Sequence, residues 1–288
     1  MKNFSRHLLI TKSSGQKVPF NAGKLKKSLL RAGASDFQAD EIISEVISML
    51  VEGMSTSKIH KAAFRLLKDV SRPVAARYKL KQALLELGPS GFPFEQYIAE
   101  LLKFQGYKTQ VGVFVQGHCV THEIDVIAKK ENSQTMIECK FHNRPGYVCD
   151  IKIPLYIHSR FVDVASSKNI KTGQTERFDQ VWVITNTRFS EDATHYAKCM
   201  NMQPVSWDFP KNNALKDWID HSGLHPITSL TTLTQKEKQQ LLEEKVVLCK
   251  SILNNHKILE QIGVRPPRLQ KVLAESMALC EPYPDPET

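Results

Sequence analysis

The sequence predicts a multidomain α/β protein, and three features carry that expectation. A run of amphipathic helical patterns follows a short N-terminal hairpin. A second, longer hairpin between His122 and His142 has strand alternation. Gly/Pro-rich breaks at Gly88-Pro89-Ser90-Gly91 and Pro266-Pro267 punctuate the chain. With 288 residues it is long enough for two or more cores. The expected division is 1–88, 89–225 and 226–288.

In the first segment, Leu8 to Thr11 and Lys17 to Phe20 read as strands about the turn Ser13-Ser14-Gly15. Four helices are expected to follow. Asn21 caps the first, which Gly33 closes, and Ser35 with Gln38 forms a capping box for the second. The third runs from about Ser57 to Val70; the fourth opens at Pro73 and ends near Gly88.

The middle segment opens with a helix from Phe94 to Phe104, then a strand from Gln110 to Gln116. In the central hairpin, Ile124 to Ala128 and Met136 to Phe141 are the strands. A strand alternates its faces, so Glu138 and Lys140 share one side while Ile137, Cys139 and Phe141 take the other. Asp125 sits inside an apolar strand, with Glu123 on its face. Carboxylates and an ammonium on adjoining strands are costly to bury unless they meet a metal ion, each other or water. A helix from Pro154 to Val164, a buried strand from Val181 to Thr185, a helix from Ala193 to Cys199 and a strand from Gln203 to Trp207 complete this segment.

In the last segment, Thr234 and Glu237 form a capping box for a helix whose Leu242, Val246, Cys249 and Leu253 make one stripe. A second helix follows Pro266-Pro267. These helices are expected either to dock as a bundle or to cover an apolar face of another segment. The closing E-P-Y-P-D-P-E-T cannot hold regular structure.

The carboxylates and lysine carry a resemblance. Helical Glu95, strand Asp125 and the strand motif Glu138-x-Lys140 occur in the order found in the PD-(D/E)XK nuclease superfamily, and E-I-D-V-I-A with E-C-K is similar to its Mrr-type restriction endonuclease branch. The resemblance implies a restriction endonuclease-like α/β/α sandwich with a mixed sheet. It also implies a Mg²⁺- (or Mn²⁺-) dependent endonuclease acting on double-stranded DNA as a homo-oligomer. Glu95, Asp125 and Glu138 would ligate the metal, and Lys140 would position or activate the attacking water. Thr185 and Asn186 would lie at a strand end near the DNA. Lys129, Lys130, Arg144, Lys152, Arg160 and Lys168 are candidate phosphate contacts. An alternative use of the hairpin, zinc held among His118, Cys119, His122, Cys139, His142 and Cys149, matches no standard zinc spacing.

The first segment has its own resemblance. I-T-K-S-S-G-Q-K-V-P-F-N-A-G-K-L, then G-M-S-T-S-K-I-H and A-A-R-Y, are similar to the ATP-cone domain, the nucleotide-sensing module of ribonucleotide reductases and of the repressor of their genes. By that resemblance Ile10 and Lys12 would meet the base and phosphates of ATP or dATP, Lys24 the phosphates, and Thr56 and His60 the ribose or phosphate end. Ser13 departs from the family, which usually places a basic residue there. No G-x-x-x-x-G-K-[ST] motif is present, so the nucleotide is expected to be sensed rather than hydrolysed.

The net charge of +9 and pI near 9.2 suit a polyanionic partner. No apolar run approaches the roughly 20 residues that span a bilayer, and the opening residues have too short an apolar core for a secretory signal. Six scattered cysteines without a C-x-x-C pair suit reduced thiols in a cytoplasm. The combined expectation is a nucleotide-responsive endonuclease. A nucleotide-responsive DNA-binding regulator with a silent nuclease fold stands beside it.

Overall fold

The computed structural model of the protein describes residues 8–12, 14–167 and 178–281. Ser13, Lys168, the opening Met1–His7 and the tail from Pro282 lie outside the described residues. The multidomain α/β organisation holds.

Strands β1 (Leu9–Thr11) and β2 (Lys17–Pro19) pair antiparallel. Helix α1 (Ala22–Arg31) starts at Asn21, whose side chain accepts the Lys24 N–H at 2.9 Å, and Gly33 leaves it at φ +97°. Helix α2 (Asp36–Met49) has the full Ser35/Gln38 capping box, and α3 (Thr56–Val70) is capped by Ser55. Their apolar faces, with Ile10 and Phe20 of the hairpin, form the first core around Leu29, Ile42, Ala63 and Leu67.

The expected single helix from Pro73 to Gly88 is two, α4 (Arg72–Tyr78) and α5 (Leu80–Leu85), broken at Lys79. The break lets one run serve two cores. Ala75 packs in the first, whereas Ala76, Leu80, Leu84 and Leu87 pack in a second.

That second core lies on one face of a five-stranded mixed sheet. Its strands are β3 (Lys108–Gln116), β4 (Thr121–Lys130), β5 (Ser133–Lys140), β7 (Gln180–Thr185) and β9 (Gln203–Val205), in that spatial order. The first three are antiparallel neighbours and the last two join in parallel. A parallel pair of two-residue strands, β6 (Val148–Cys149) and β8 (Arg188–Phe189), stands apart. Helix α6 (Phe92–Phe104) covers the face that bears Val126, Ile137 and Ile184. Helices α7 (Lys152–Ala165) and α8 (Glu191–Cys199) cover the other, over Ile127, Met136 and Val183. The result is a three-layer arrangement.

The C-terminal helices complete the α6 layer. They are α9 (Leu215–Ser222), α10 (Gln235–Glu243), α11 (Cys249–Asn254), α12 (Lys257–Gln261) and α13 (Arg268–Cys280). The expected stripe Leu242, Val246, Cys249 and Leu253 does not ride one helix. Helix α10 stops at Glu243, Lys245 turns at φ +61°, and Val247 and Cys249 bond along the chain at 225–227 before α11 begins. Instead of forming a separate bundle, these helices share the second core with α5, α6 and the sheet.

Regular alternation fails at one place on the β3/β4 pair. Val111 and Val126 pack toward α6, yet Val113 and Ile124, two residues along each strand, pack toward α7. Residues so spaced on a regular strand share a face. Between them Gly112 adopts φ +64°, opposite Asp125 in the register. The local twist brings Asp125 to the boundary of the two layers.

Candidate functional site

Glu95 stands in the first turn of α6, close to Gly91, where a Cβ would come within 3.2 Å of its Oε1. Asp125 lies in β4, while Glu138 and Lys140 lie in β5. The structure brings all four into one electrostatic neighbourhood. Burial, then the charges of Asp125, Glu123 and Glu138, push the Glu95 carboxyl up to about 7, against the pull of Lys140. Asp125 is likewise raised, by burial and by Glu138.

Partners fix the individual side chains. The Cys139 N–H donates to Asp125 Oδ2 at 2.7 Å. Glu138, only 3% exposed, accepts Lys140 Nζ at 2.6 Å on one oxygen and Arg160 Nη1 on the other. Arg160 also donates to the Glu123 carbonyl, so α7 supplies a second cation to the site. Among the phosphate-contact candidates, Arg160 therefore lies within the site itself. Its distance from Glu138 in the sequence left no motif to mark it.

Thr185 and Asn186 are fully buried and turned to the chain after Lys140. Thr185 Oγ1 donates to the Lys140 carbonyl at 2.8 Å. Asn186 accepts the His142 N–H at 2.9 Å and donates to its carbonyl at 2.8 Å. They hold the site's edge in place.

Carboxylate oxygens are the ligands that a hard divalent cation takes, and the mutual repulsion of Glu95, Asp125 and Glu138 is what such an ion would relieve. The donor chemistry thus fits. Among the described residues, however, no three His, Cys, Asp or Glu side chains stand as a coordination group, and Glu138 has both oxygens engaged by cations. The zinc alternative finds no set either: His122 pairs with Asp163 at 2.7 Å, Cys139 packs in the second core, and only His142 and Cys149 meet, at 3.3 Å.

In the hairpin and four-helix module, β1 lies along the start of α3: the Thr11 N–H bonds the Met54 carbonyl at 3.0 Å, and Thr11 bridges Ser55 beside Thr56. Lys12 and Lys24 are exposed, the former bonded to Gln16 at 2.9 Å. The Ile10 side chain belongs to the module's core. His60 rests its ring on Tyr78 of α4, centroids 5.3 Å apart; shielding there and the Lys81 charge hold its imidazole below the ordinary range. Lys81, whose charge reaches His60, lies 5.5 Å from the Trp207 ring of the second unit.

That junction is extensive. Arg31 reaches Asp220 and, at 3.8 Å, Asp217; Arg77 donates to the Ala278 carbonyl at 2.6 Å; Thr228 donates to the Ala83 carbonyl at 2.7 Å.

Comparison with known proteins gives two family matches. The model of the ATP cone domain matches residues 8–82, and that of the AF1548-like C-terminal region matches residues 225–280. A protein of Archaeoglobus fulgidus, described only as uncharacterized, is 34% identical over 180 residues, 62% of this chain and 97% of its own length. The crystal structure of AF1548, a protein of unknown function, is 33% identical, covers 66% of this chain and 98% of its own, and superposes with a TM-score of 0.55.

Proposed function

We propose, from the premise that this chain belongs to the AF1548-like family and carries an ATP cone domain ahead of that likeness, that it is a nucleotide-responsive, Mg²⁺-dependent endonuclease hydrolysing DNA phosphodiester bonds. One observation carries the reading: Glu95, Asp125, Glu138 and Lys140, from one helix and two neighbouring strands, share a single electrostatic neighbourhood. A solely structural site has no use for neighbouring carboxylate charges that raise the proton affinity of Glu95 and Asp125. The helix–strand–strand order of the Mrr-type nucleases supports the same conclusion.

Asp125, Glu95 and Glu138 would hold the ion, which supplies Lewis-acid charge to a phosphoryl oxygen when bound. The residues do the rest. Glu95, in the first turn of α6, would hold the ion or a water bound to it. Lys140, anchored by Glu138, orients that water or offsets the charge that grows on the phosphorus oxygens. Arg160 keeps Glu138 in place and adds a second positive charge toward the substrate. An assay of plasmid nicking in Mg²⁺ tests the reading with wild type, Asp125→Ala and Lys140→Ala. Loss in both variants is expected; equal activity in all three removes the assignment.

ATP or dATP on the cone would regulate the cleft by binding one arrangement of the Arg31–Asp220, Arg77–Ala278 and Lys81–Trp207 junction more tightly than another. Calorimetry with either nucleotide should lose its signal in Lys24→Ala. Unchanged binding would place the nucleotide elsewhere.

A second reading, a nucleotide-responsive DNA-binding protein without cleavage, is favoured by the closed ion pairs of Glu138 with Lys140 and Arg160. It predicts mobility shifts on DNA that neither EDTA nor Asp125→Ala changes, with no nicking under any condition.

A further inference from the structure

The chain leaving the cleft presents a flat aromatic surface. The His142 ring stacks on Tyr147 with centroids 3.7 Å apart and planes inclined by 25°, and Tyr147 is 44% exposed. Buried groups secure this pair. Asn186, fully buried, takes both the N–H and the carbonyl of His142, and Cys149, fully buried, meets the imidazole Nε2 at 3.3 Å. The Ser190 N–H bonds the Cys149 carbonyl at 2.9 Å, and Thr185 secures Lys140. An ordinary surface turn needs no such anchoring.

The platform lies next to the proposed chemistry. One residue, Phe141, separates His142 from Lys140, a span of at most about 7 Å, and the Lys140 charge acts on the His142 ring. Tyr156, 59% exposed, stands beside Arg160, the cation on Glu138. An exposed aromatic face flanked by cations is the combination that receives a nucleobase and its phosphate. A base inside a duplex has both faces covered by its neighbours and cannot use it.

We infer that His142 and Tyr147 form a stacking platform for an unpaired base next to the scissile phosphate, so that the substrate is single-stranded DNA or a locally unpaired stretch of a duplex. This rests on the nuclease reading for the identity of the ligand but not for its own test.

The test uses the full chain carrying Asp125→Ala, in EDTA, with a single-stranded oligonucleotide containing 2-aminopurine, whose fluorescence falls on stacking. Quenching on binding is expected, with much weaker quenching for the same base inside a blunt duplex. Tyr147→Ala should abolish the quenching and weaken binding about tenfold or more, while Tyr147→Phe keeps both. Quenching and affinity unaltered in Tyr147→Ala overturn the platform, as does a duplex bound and quenched as well as the single strand. The two readings fail separately. Tyr147-dependent quenching without cleavage of either plasmid or the single strand by wild type in Mg²⁺ leaves the platform and removes the catalysis; cleavage indifferent to Tyr147 does the reverse.

Discussion

Asp125 accepts the backbone N–H of Cys139 through its carboxylate, at 2.7 Å, just beyond Val126 and Ile137, the last paired residues of the β4–β5 ladder. The side chain replaces a strand carbonyl, which lets the strands part where Gly112 twists the neighbouring edge. Asp125→Asn keeps an acceptor there, whereas Asp125→Ala strands the N–H. The alanine variant should be less stable than the asparagine one by about 1–3 kcal/mol. Both should lose about a hundredfold or more of nicking. Urea melts in EDTA and a nicking assay separate the structural role from the chemical one.

Glu95 sets a pH dependence of stability. Its carboxyl titrates at about 7 in the fold, against 4.5 ordinarily. Between those values the folded chain keeps a proton that the unfolded chain has lost. Stability from this group therefore falls as pH rises from about 4.5 to 7 and is level above. In EDTA, Glu95→Gln should flatten that slope and melt higher than wild type at pH 8, with little difference at pH 4. Mg²⁺ at pH 8 should raise the melting temperature of wild type and not of Asp125→Asn. A wild-type melt insensitive to Mg²⁺ would count against an ion among these carboxylates.

Much of this was legible in the chain because period and caps are local. Asn21, the Ser35/Gln38 box and the Thr234/Glu237 box begin helices where their residue types indicate. The two-residue repeat placed Glu138 with Lys140, which meet at 2.6 Å. What escaped the sequence depends on packing between distant segments. Arg160 joins Glu138 only because α7 crosses that face of the sheet, and Asn186 looks like any strand end until His142 fills both its bonds. The turn at Lys245 carries no glycine to announce it, so an apolar spacing that suits a helix runs straight through it.

Glu275 of α13 shows how the C-terminal helices are fastened. It is 4% exposed and accepts the N–H groups of Thr231 and Thr232 at 2.8 and 2.9 Å and both hydroxyls at 2.6 Å. Removing the carboxylate leaves four donors without an acceptor, so Glu275→Ala should cost about 2–5 kcal/mol. Glu275→Gln, which keeps one oxygen, should cost less. Since α13 also packs on α4, limited proteolysis of the alanine variant should cut between residues 225 and 280 before it cuts the cone.

Gly88, between Leu87 and α6 of the second core, is under a steric constraint rather than a dihedral one, for its φ lies outside the left-handed region. A Cβ there would stand 2.3 Å from Cε1 and 2.9 Å from Cζ of Phe141. That ring follows Lys140, precedes His142, and packs on Phe94, the residue before Glu95, with centroids 5.8 Å apart. Gly88→Ala therefore pushes on both sides of the proposed site at once. The overpacking should cost about 1–3 kcal/mol and lower nicking, while ATP binding measured by calorimetry stays unchanged, because the cone's core does not include this contact. If the clash with Phe141 is the cause, Phe141→Leu should be less harmful in the Gly88→Ala background than in wild type. A double-mutant cycle on stability and on nicking reads that coupling directly. Additive effects would mean that Gly88 acts through the linker and not through the ring.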